Sequence, residues 1–525
     1  MTIDSTSFTP VGVQGIADAL RSRLQRYIEA AYHLRDASVV RERRALLSAP
    51  GEIAREAFLE TTPSYELGRR YGELGLPHPI GQTLDELAGW QPGIGVFLRP
   101  YRHQAEALEA FFNHRHDLIV STGTGSGKTE TFLLPIMGSL LAEASDRPAS
   151  FRQPGFRALL LYPMNALVSD QIARLRRLFG DERLSELFRL RYGRHPRFGM
   201  YTSRTPYPGS RNPRRDNQNL DPILRYYVDL EAAAQRDGPR SQSAQLVEEL
   251  RARGRWPAKS LDRFYGTPGG RWDRRLITQP GDRELLTRHE MQLDCPDILI
   301  TNYSMLEYML MRPIERSIFE QTRAWLASDP ANSVILVVDE AHLYRGTAGA
   351  EVAYLIRRLQ ARLEIPRSRM RCIITSASLG SDETIEGDAI AFAEALTGSP
   401  AGGGRAFQLV RGYPEPRPPA RPGTPSEAAG LAAFDQAAFA RRAEAPAAAV
   451  AAVSAVVEAL GWPSPPEADG GDPAGGLRDY LYAQLHGMGP TELLIAQSTG
   501  SATSLADLAD ALFPEARADV ARRAT

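Results

Sequence analysis

Two stretches of the sequence combine residue types suited to chemistry on phosphates. The first, STGTGSGKTE (121–130), follows the apolar run DLIV and opens a helical pattern. Gly123, Gly125 and Gly127 leave no Cβ between the backbone N–H groups and an anion, at a helix start whose partial positive charge favours one. The candidate cradle is Thr124, Gly125, Ser126, Gly127, Lys128 and Thr129. Lys128 would reach β- and γ-phosphates, and the Thr129 hydroxyl would sit on Mg²⁺, which makes ATP with Mg²⁺ the implied cofactor pair. The spacing departs from the strict G-x-x-x-x-G-K-[ST] pattern, because Thr122 holds the first glycine position. A Gly/Ser loop with an incidental lysine is the alternative. Only two of the 62 basic residues are lysines, Lys128 and Lys259, so a lysine at this place is conspicuous.

The second stretch is VILVVDEAH (334–342), an apolar strand pattern ending in two carboxylates. Asp339 is placed to hold a metal through water, and Glu340, one residue on, to polarise an attacking water. Two adjacent acids buried without a cation raise each other's pKa and lose solvation, whereas a Mg-nucleotide removes the difficulty. The alternative has both acids fanning out to solvent. Gln104, in LRPYRHQAEAL (98–108), offers the donor and acceptor that an adenine edge needs. TSAS (375–378) ends another strand pattern, and the hydroxyls of Thr375, Ser376 and Ser378 are expected to hydrogen-bond His342, which would couple the nucleotide site to other surfaces.

These residues need a scaffold, and the pattern between about 91 and 410 supplies one. DLIVS, ALLLYP, FGMYT, DILITN, VILVVDE and CIITSAS are short apolar runs separated by helical segments. That alternation predicts a parallel sheet flanked by helices, an α/β domain whose ligands bind beyond the carboxyl ends of the strands. FQLVRG is expected to add an edge strand. Residues 1–90 are expected to form a helical accessory region, 411–430 a Pro/Gly-rich linker, and 431–525 a helical segment in which Ser504 caps a helix carrying Leu505, Leu508 and Leu512. That tail is read as a packing helix or the start of a helix-turn-helix.

An insertion at about 209–285 is too long for an ordinary connection. Between Arg211 and Arg288 it holds 16 basic and 11 acidic residues, with Tyr226, Tyr227, Trp256, Phe264, Tyr265 and Trp272 among them. Aromatics among arginines suit single-strand stacking, and a small helical subdomain with its own core is the alternative. The formal net charge of -1 confines any nucleic-acid surface to a local patch. Cys295 and Cys372 have no paired metal spacing and fit a reduced compartment. No run reaches the length of a membrane helix, and a cytoplasmic location is expected.

TGTGSGKT, DEAH and TSAS, in this order, resemble motifs I, II and III of the superfamily 2 helicases. YPMNALVSDQ (162–171), YTSRTP (201–206) and ILITNYSMLEYMLMRP (298–313) are similar to motifs Ia, Ib and Ic. Their wording, together with RERRALL (41–47), is similar to the Lhr/YprA-like bacterial helicases, which include phage-defence helicases of the Druantia and DISARM type. The resemblance implies a RecA-like lobe that binds ATP and Mg²⁺ and contacts DNA, with RNA as the other substrate, in phage defence or DNA repair. It carries nucleic-acid contacts to Asn165, Thr202, Arg204, Thr205, Thr301 and Asn302, which would position a strand by its phosphates. Asn165 stands where many relatives have a basic residue. A second RecA-like lobe is expected from a longer product or a separate chain, since no Q-x-x-G-R-x-x-R run follows TSAS. The chain alone is therefore expected to bind ATP-Mg, hydrolyse it slowly and not unwind. A nucleotide-dependent binding subunit is the competing reading, and an intact Glu340 weighs against it.

Overall fold

The computed structural model describes residues 12–49, 51–55, 57–123, 125–206, 213–264, 278–344, 346–376, 384–398, 405–442, 444–465 and 476–525. They fall into two compact units. One is formed by the described residues of Met1–Ser64 and Glu415–Thr525, the other by those of Tyr65–Pro414.

The Tyr65–Pro414 unit is built on eight strands: β1 Asp117–Ser121, β2 Ala158–Tyr162, β3 Phe198–Met200, β4 Glu284–Leu285, β5 Ile298–Asn302, β6 Val334–Val338, β7 Met370–Ser376 and β8 Phe407–Arg411. Their spatial order is β4-β3-β5-β2-β6-β7-β1-β8, and every pair is parallel. Helices cover both faces, so the central strands are buried throughout and read as unbroken aliphatic runs. Alternation divides each strand between two cores: Leu118, Val120, Leu160 and Val337 face one, and Ile119, Leu159, Leu161 and Val338 the other. β1, β6 and β7 lie side by side, with Ser121 opposite Ser376 and Val338 opposite Ile374. Their carboxyl ends bring together the loop at 122–129, the acids at 339–340 and Thr375.

β4 is two residues long and carries no apolar run, which is why nothing in the sequence announced it. The unit starts at Tyr65, where a boundary near residue 90 was expected. Tyr71, Leu74, Ile80, Leu84 and Leu87 are buried in its core, and the surrounding prolines and glycines disguise the short amphipathic helix Ile80–Ala88 that delivers three of them. The expected linker likewise contains the helix Pro425–Ala432. Thr424 caps it reciprocally with Glu427 and Pro425 occupies its first turn, a position where proline starts a helix.

The insertion contains the helices Pro213–Asp237, Gln242–Ala252 and Leu261–Phe264 around Leu220, Leu224, Val228, Val247, Trp256, Leu261 and Phe264. Trp256 and Phe264 are buried there, in agreement with the reading of a small helical subdomain with its own core and not with strand stacking by these two rings; Tyr265 and Trp272 lie outside the described residues. In the other unit, the helices Gly12–Ala31 and Ala37–Ser48 are separated at Asp36, whose carboxylate accepts from the N–H of Ser38 at 2.8 Å and of Val39 at 3.2 Å. Leu505–Leu512 is a packing helix: Ser504 accepts from Asp507 N, and Leu508 and Leu512 are buried beside Phe513. No described helix is long and apolar enough to cross a membrane.

Candidate active site

The loop after β1 is braced from below. Gly125 and Gly127 hold φ of 76° and 73°, the left-handed region that glycine enters without cost from a Cβ. The Ser126 hydroxyl donates to Thr122 Oγ1 at 2.7 Å, and His103 Nε2 meets the Ser126 carbonyl at 3.0 Å. Burial pushes His103 down to about 4, so it is neutral near pH 7. Gln104 donates from Nε2 to the Gly127 carbonyl at 3.0 Å while its Oε1 accepts from Tyr101 N at 2.9 Å. Each end of this side chain has one partner within the protein, so Gln104 braces the loop while one N–H and one lone pair of its amide remain. Lys128 and Thr129 follow, with Thr129 buried at the start of the helix Glu130–Asp146. Thr124 lies outside the described residues.

Across the cleft, Glu340 takes φ 51° and ψ 45°. This is the left-handed region, uncommon for a residue with a side chain and held only where the surroundings enforce it. The turn separates the two acids. Glu340 Oε1 stands 3.8 Å from Lys128 Nζ, and Oε2 stands 3.3 Å from His342 Nδ1. Asp339 points into the protein, 7% exposed, and accepts a hydrogen bond from Thr375 Oγ1. Loss of solvation raises its carboxyl above the usual range; Glu340 adds to the rise, and the Thr375 hydroxyl and Lys128 oppose it. Thr375 is thus spent on Asp339 and not on His342 as expected, because β7 runs directly beside β6. Ser376 Oγ reaches His342 Nδ1 at 3.5 Å, and Ser378 lies outside the described residues.

The sequence reading missed two tyrosines near the acids, Tyr162 and Tyr344. Both hydroxyls are buried with no hydrogen-bond partner among the described residues, and both phenols are shifted upward by burial and by Asp339. Nothing in their spacing marks them. A cavity of ≈ 740 Å³ opens beside His342 and Tyr344, lined by Tyr354 and Phe392. Its largely apolar walls do not suit a triphosphate.

The residues carried over as nucleic-acid contacts cluster at the carboxyl ends of β2, β3 and β5. Asn302 donates from Nδ2 to Asn165 Oδ1 at 2.6 Å and caps the helix Tyr303–Met311 by accepting from Met305 N at 2.7 Å. Two hydroxyls point inward: Thr301 Oγ1 donates to the Tyr201 carbonyl at 2.7 Å, and Thr205 Oγ1 to the Met200 carbonyl at 2.6 Å. Thr202 Oγ1 accepts from Arg204 N at 3.2 Å. The hydroxyls of Thr205 and Thr301 thus have main-chain partners, as buried hydroxyls need. Arg204 is exposed.

A glycine-rich loop between a buried strand and a helix, facing an acid pair at the tip of a neighbouring parallel strand, defines a RecA-like P-loop nucleotide-binding domain. Residues 101–197 match the family model described as DEAD/DEAH box helicase. Over 98% of its length the chain is 48% identical to the Druantia protein DruE of Escherichia coli (strain UMEA 4076-1), and it covers 28% of that protein. The uncharacterized ATP-dependent helicase MJ1574 of Methanocaldococcus jannaschii is 24% identical over 53% of this chain and 26% of its own length. Among solved structures, the DUF1998 helicase MrfA bound to DNA and AMPPNP aligns over 77% of this chain and 41% of its own, at 19% identity and a TM-score of 0.37. The chain carries a DEAD/DEAH box helicase domain. It spans about a quarter of the length of these two curated relatives.

Proposed function

We propose that this chain is the ATP-binding lobe of a DNA helicase or translocase that hydrolyses ATP to drive movement along nucleic acid in phage defence. The observation that carries the reading is the convergence of Lys128, Asp339 and Glu340 from separate elements onto one cleft, with a lysine 3.8 Å from one of two adjacent acids. The defence role rests on the likeness to a Druantia protein. The substrate assignment rests on the resemblance to the Lhr/YprA-like helicases.

The residues fit a Mg-nucleotide. Asp339 is a buried carboxyl whose ionised form is disfavoured by desolvation and by its neighbour, and a divalent cation restores that form. Glu340 Oε2 is buried without a hydrogen-bond partner. Asp339 and Thr129 would hold the metal, Asp339 through water, and Gly125, Ser126, Gly127 and Lys128 the phosphates. When bound, Mg²⁺-ATP supplies the phosphoanhydride together with the dication that screens its charge.

Within that frame each residue has a task. Lys128 places positive charge at the phosphate end of the cleft. Glu340, turned away from Asp339 by its left-handed backbone, offers its carboxylate to orient and deprotonate a water. Thr375 fixes the Asp339 carboxylate, and His342 lies between Glu340 and Ser376, where a change at either is passed on. Asn165, Asn302 and Arg204 position the strand by its phosphates, with the Thr202 turn holding Arg204. Arginines from a second lobe complete the site and contribute a factor on the order of 10³ to 10⁵. The chain alone therefore binds ATP-Mg and turns it over slowly.

Glu340→Gln tests the reading in the assembled protein: nucleic-acid-stimulated turnover falls by about 10² to 10⁴ while ATP binding persists. Unchanged turnover refutes the base assignment. Competition binding with single- and double-stranded DNA and RNA tests the substrate, and preference for RNA overturns the DNA assignment.

A further inference from the structure

The segment Tyr65–Gly68 is a strap across the base of the phosphate loop. Glu66 donates its N–H to the Tyr413 carbonyl at 2.9 Å and accepts at its own carbonyl from Arg102 N at 2.7 Å. Gly68 N donates to the Pro100 carbonyl at 2.7 Å, and a Cβ on Gly68 would lie 3.0 Å from that of Ala105. The strap thus ties the helix carrying His103 and Gln104 to the residues that follow β8. Two segments of this unit, 65–66 and 413–414, cross here, and Tyr65 bridges Pro414 in antiparallel fashion.

Tyr65 connects this crossing to the loop. Its ring is buried between two glycines. A Cβ on Gly412 would stand 2.5 Å from Tyr65 Cε1, and a Cβ on Gly123 would stand 3.2 Å from its hydroxyl. The hydroxyl interacts with the Gly123 main chain and the Ser126 side chain. The ring packs at 5.3 Å, edge-on, against His103, whose Nε2 holds the Ser126 carbonyl, and at 5.7 Å against Tyr101. One phenol therefore touches the loop by its hydroxyl and braces it again through His103.

We propose that Tyr65 is a positioning residue of the phosphate loop, carrying the loop's nucleotide-dependent state to the paired segments 65–66 and 413–414 of the same unit. The proposal rests on the reading of the loop as an ATP site. Any shift of Gly123 or Ser126 on closing around phosphates changes the partners of the Tyr65 hydroxyl, and the ring has no free volume in which to absorb the movement. The loop and the crossing then share one two-state element, which is what coupling between sites requires.

Hydrogen exchange of the full chain, with and without ATP and Mg²⁺, tests this in the wild type, Tyr65→Phe and Gly412→Ala. In the wild type, nucleotide is expected to slow exchange in 122–129 and also in 65–66 and 413–414, the latter by about fivefold or more. In Tyr65→Phe, which keeps the ring and its packing, protection of the loop persists and protection of the crossing is lost. Gly412→Ala, which displaces the ring, gives the same separation. Protection of the loop with an unchanged crossing in the wild type overturns the inference and leaves the ATP site intact. Equal protection of the crossing in wild type and Tyr65→Phe overturns it as well. No protection of the wild-type loop overturns the ATP reading itself.

Discussion

Lys128 and Lys259 are the two lysines of the chain, and each faces a pair of acids. Lys259 Nζ lies 2.7 Å from Asp282 Oδ2 and 2.6 Å from Glu290 Oε1, with its side chain 0% exposed. Asp282 also accepts from the N–H of Ser260 and of Gln279, and Glu290 accepts from Leu286 N, Thr287 N and the Thr278 hydroxyl. Each charge there is paired and further acceptor capacity is filled by main chain and threonine hydroxyls, so the cluster is a clamp that fastens the insertion. Lys128 is different. Its one carboxylate partner among the described ion pairs stands 3.8 Å away, Asp339 is turned inward, and a Glu340 oxygen has no hydrogen-bond partner. A saturated buried ion cluster is structure, whereas an unsaturated one with a strained residue in it leaves room for a ligand.

The comparison can be broken most severely at the cleft. Lys128→Ala is expected to lower ATP turnover of the assembled protein by about 10² to 10³, the scale of losing one preorganised charge donor. Its unfolding free energy should change by less than about 1 kcal/mol, because the pair is loose and partly exposed. Chemical denaturation beside a steady-state ATPase assay checks both halves. Lys259→Met should do the reverse, costing about 3–5 kcal/mol by leaving Asp282 and Glu290 buried without their cation. Turnover per folded molecule should stay near wild type, and a specific loss of turnover would erase the distinction between the two sites.

Smaller effects sharpen the picture. Thr375→Val removes the hydrogen bond to Asp339 and should cost about 1–2 kcal/mol. It also raises the Asp339 carboxyl further, moving the acidic limb of the ATPase profile to higher pH. The pH dependence of stability has a definite sign. The folded carboxyl of Asp339 is raised above its ordinary value of 3.8, so between 3.8 and that raised value the folded state binds more protons than the unfolded one. Asp339 therefore makes the nucleotide-free protein less stable as pH rises through that window. Thermal unfolding across this range should show a shallower decline in Asp339→Asn, and a steeper one contradicts the burial argument.

The chemistry was readable where it lies in contiguous strings. The loop 121–130, the acids after β6 and the Thr375 strand end need only local pattern, and the aliphatic runs that position them are continuous because both faces of the sheet are covered. What the sequence concealed is who satisfies whom. Gln104 has the groups for a base edge, yet its partners are Tyr101 and Gly127. Thr301 and Thr205 look like donors to a phosphate, yet they turn to main-chain carbonyls. Trp256 and Phe264 sit among arginines and still form a core. Tyr65, Gly123 and Gly412 meet from three distant places in the chain, and no periodicity encodes such a contact. The boundary at Tyr65 was hidden for a similar reason, since one short helix among prolines delivers much of the apolar surface that joins 65–90 to the sheet.

The most direct test of the central claim is a Mg-ATP titration of wild type and Lys128→Ala followed by thermal unfolding, with Lys259→Arg as a lysine-site control. Wild type and Lys259→Arg should be stabilised progressively, by ~2.7 kcal/mol at a hundredfold excess over Kd, and Lys128→Ala should not respond. Equal stabilisation of Lys128→Ala would contradict the account.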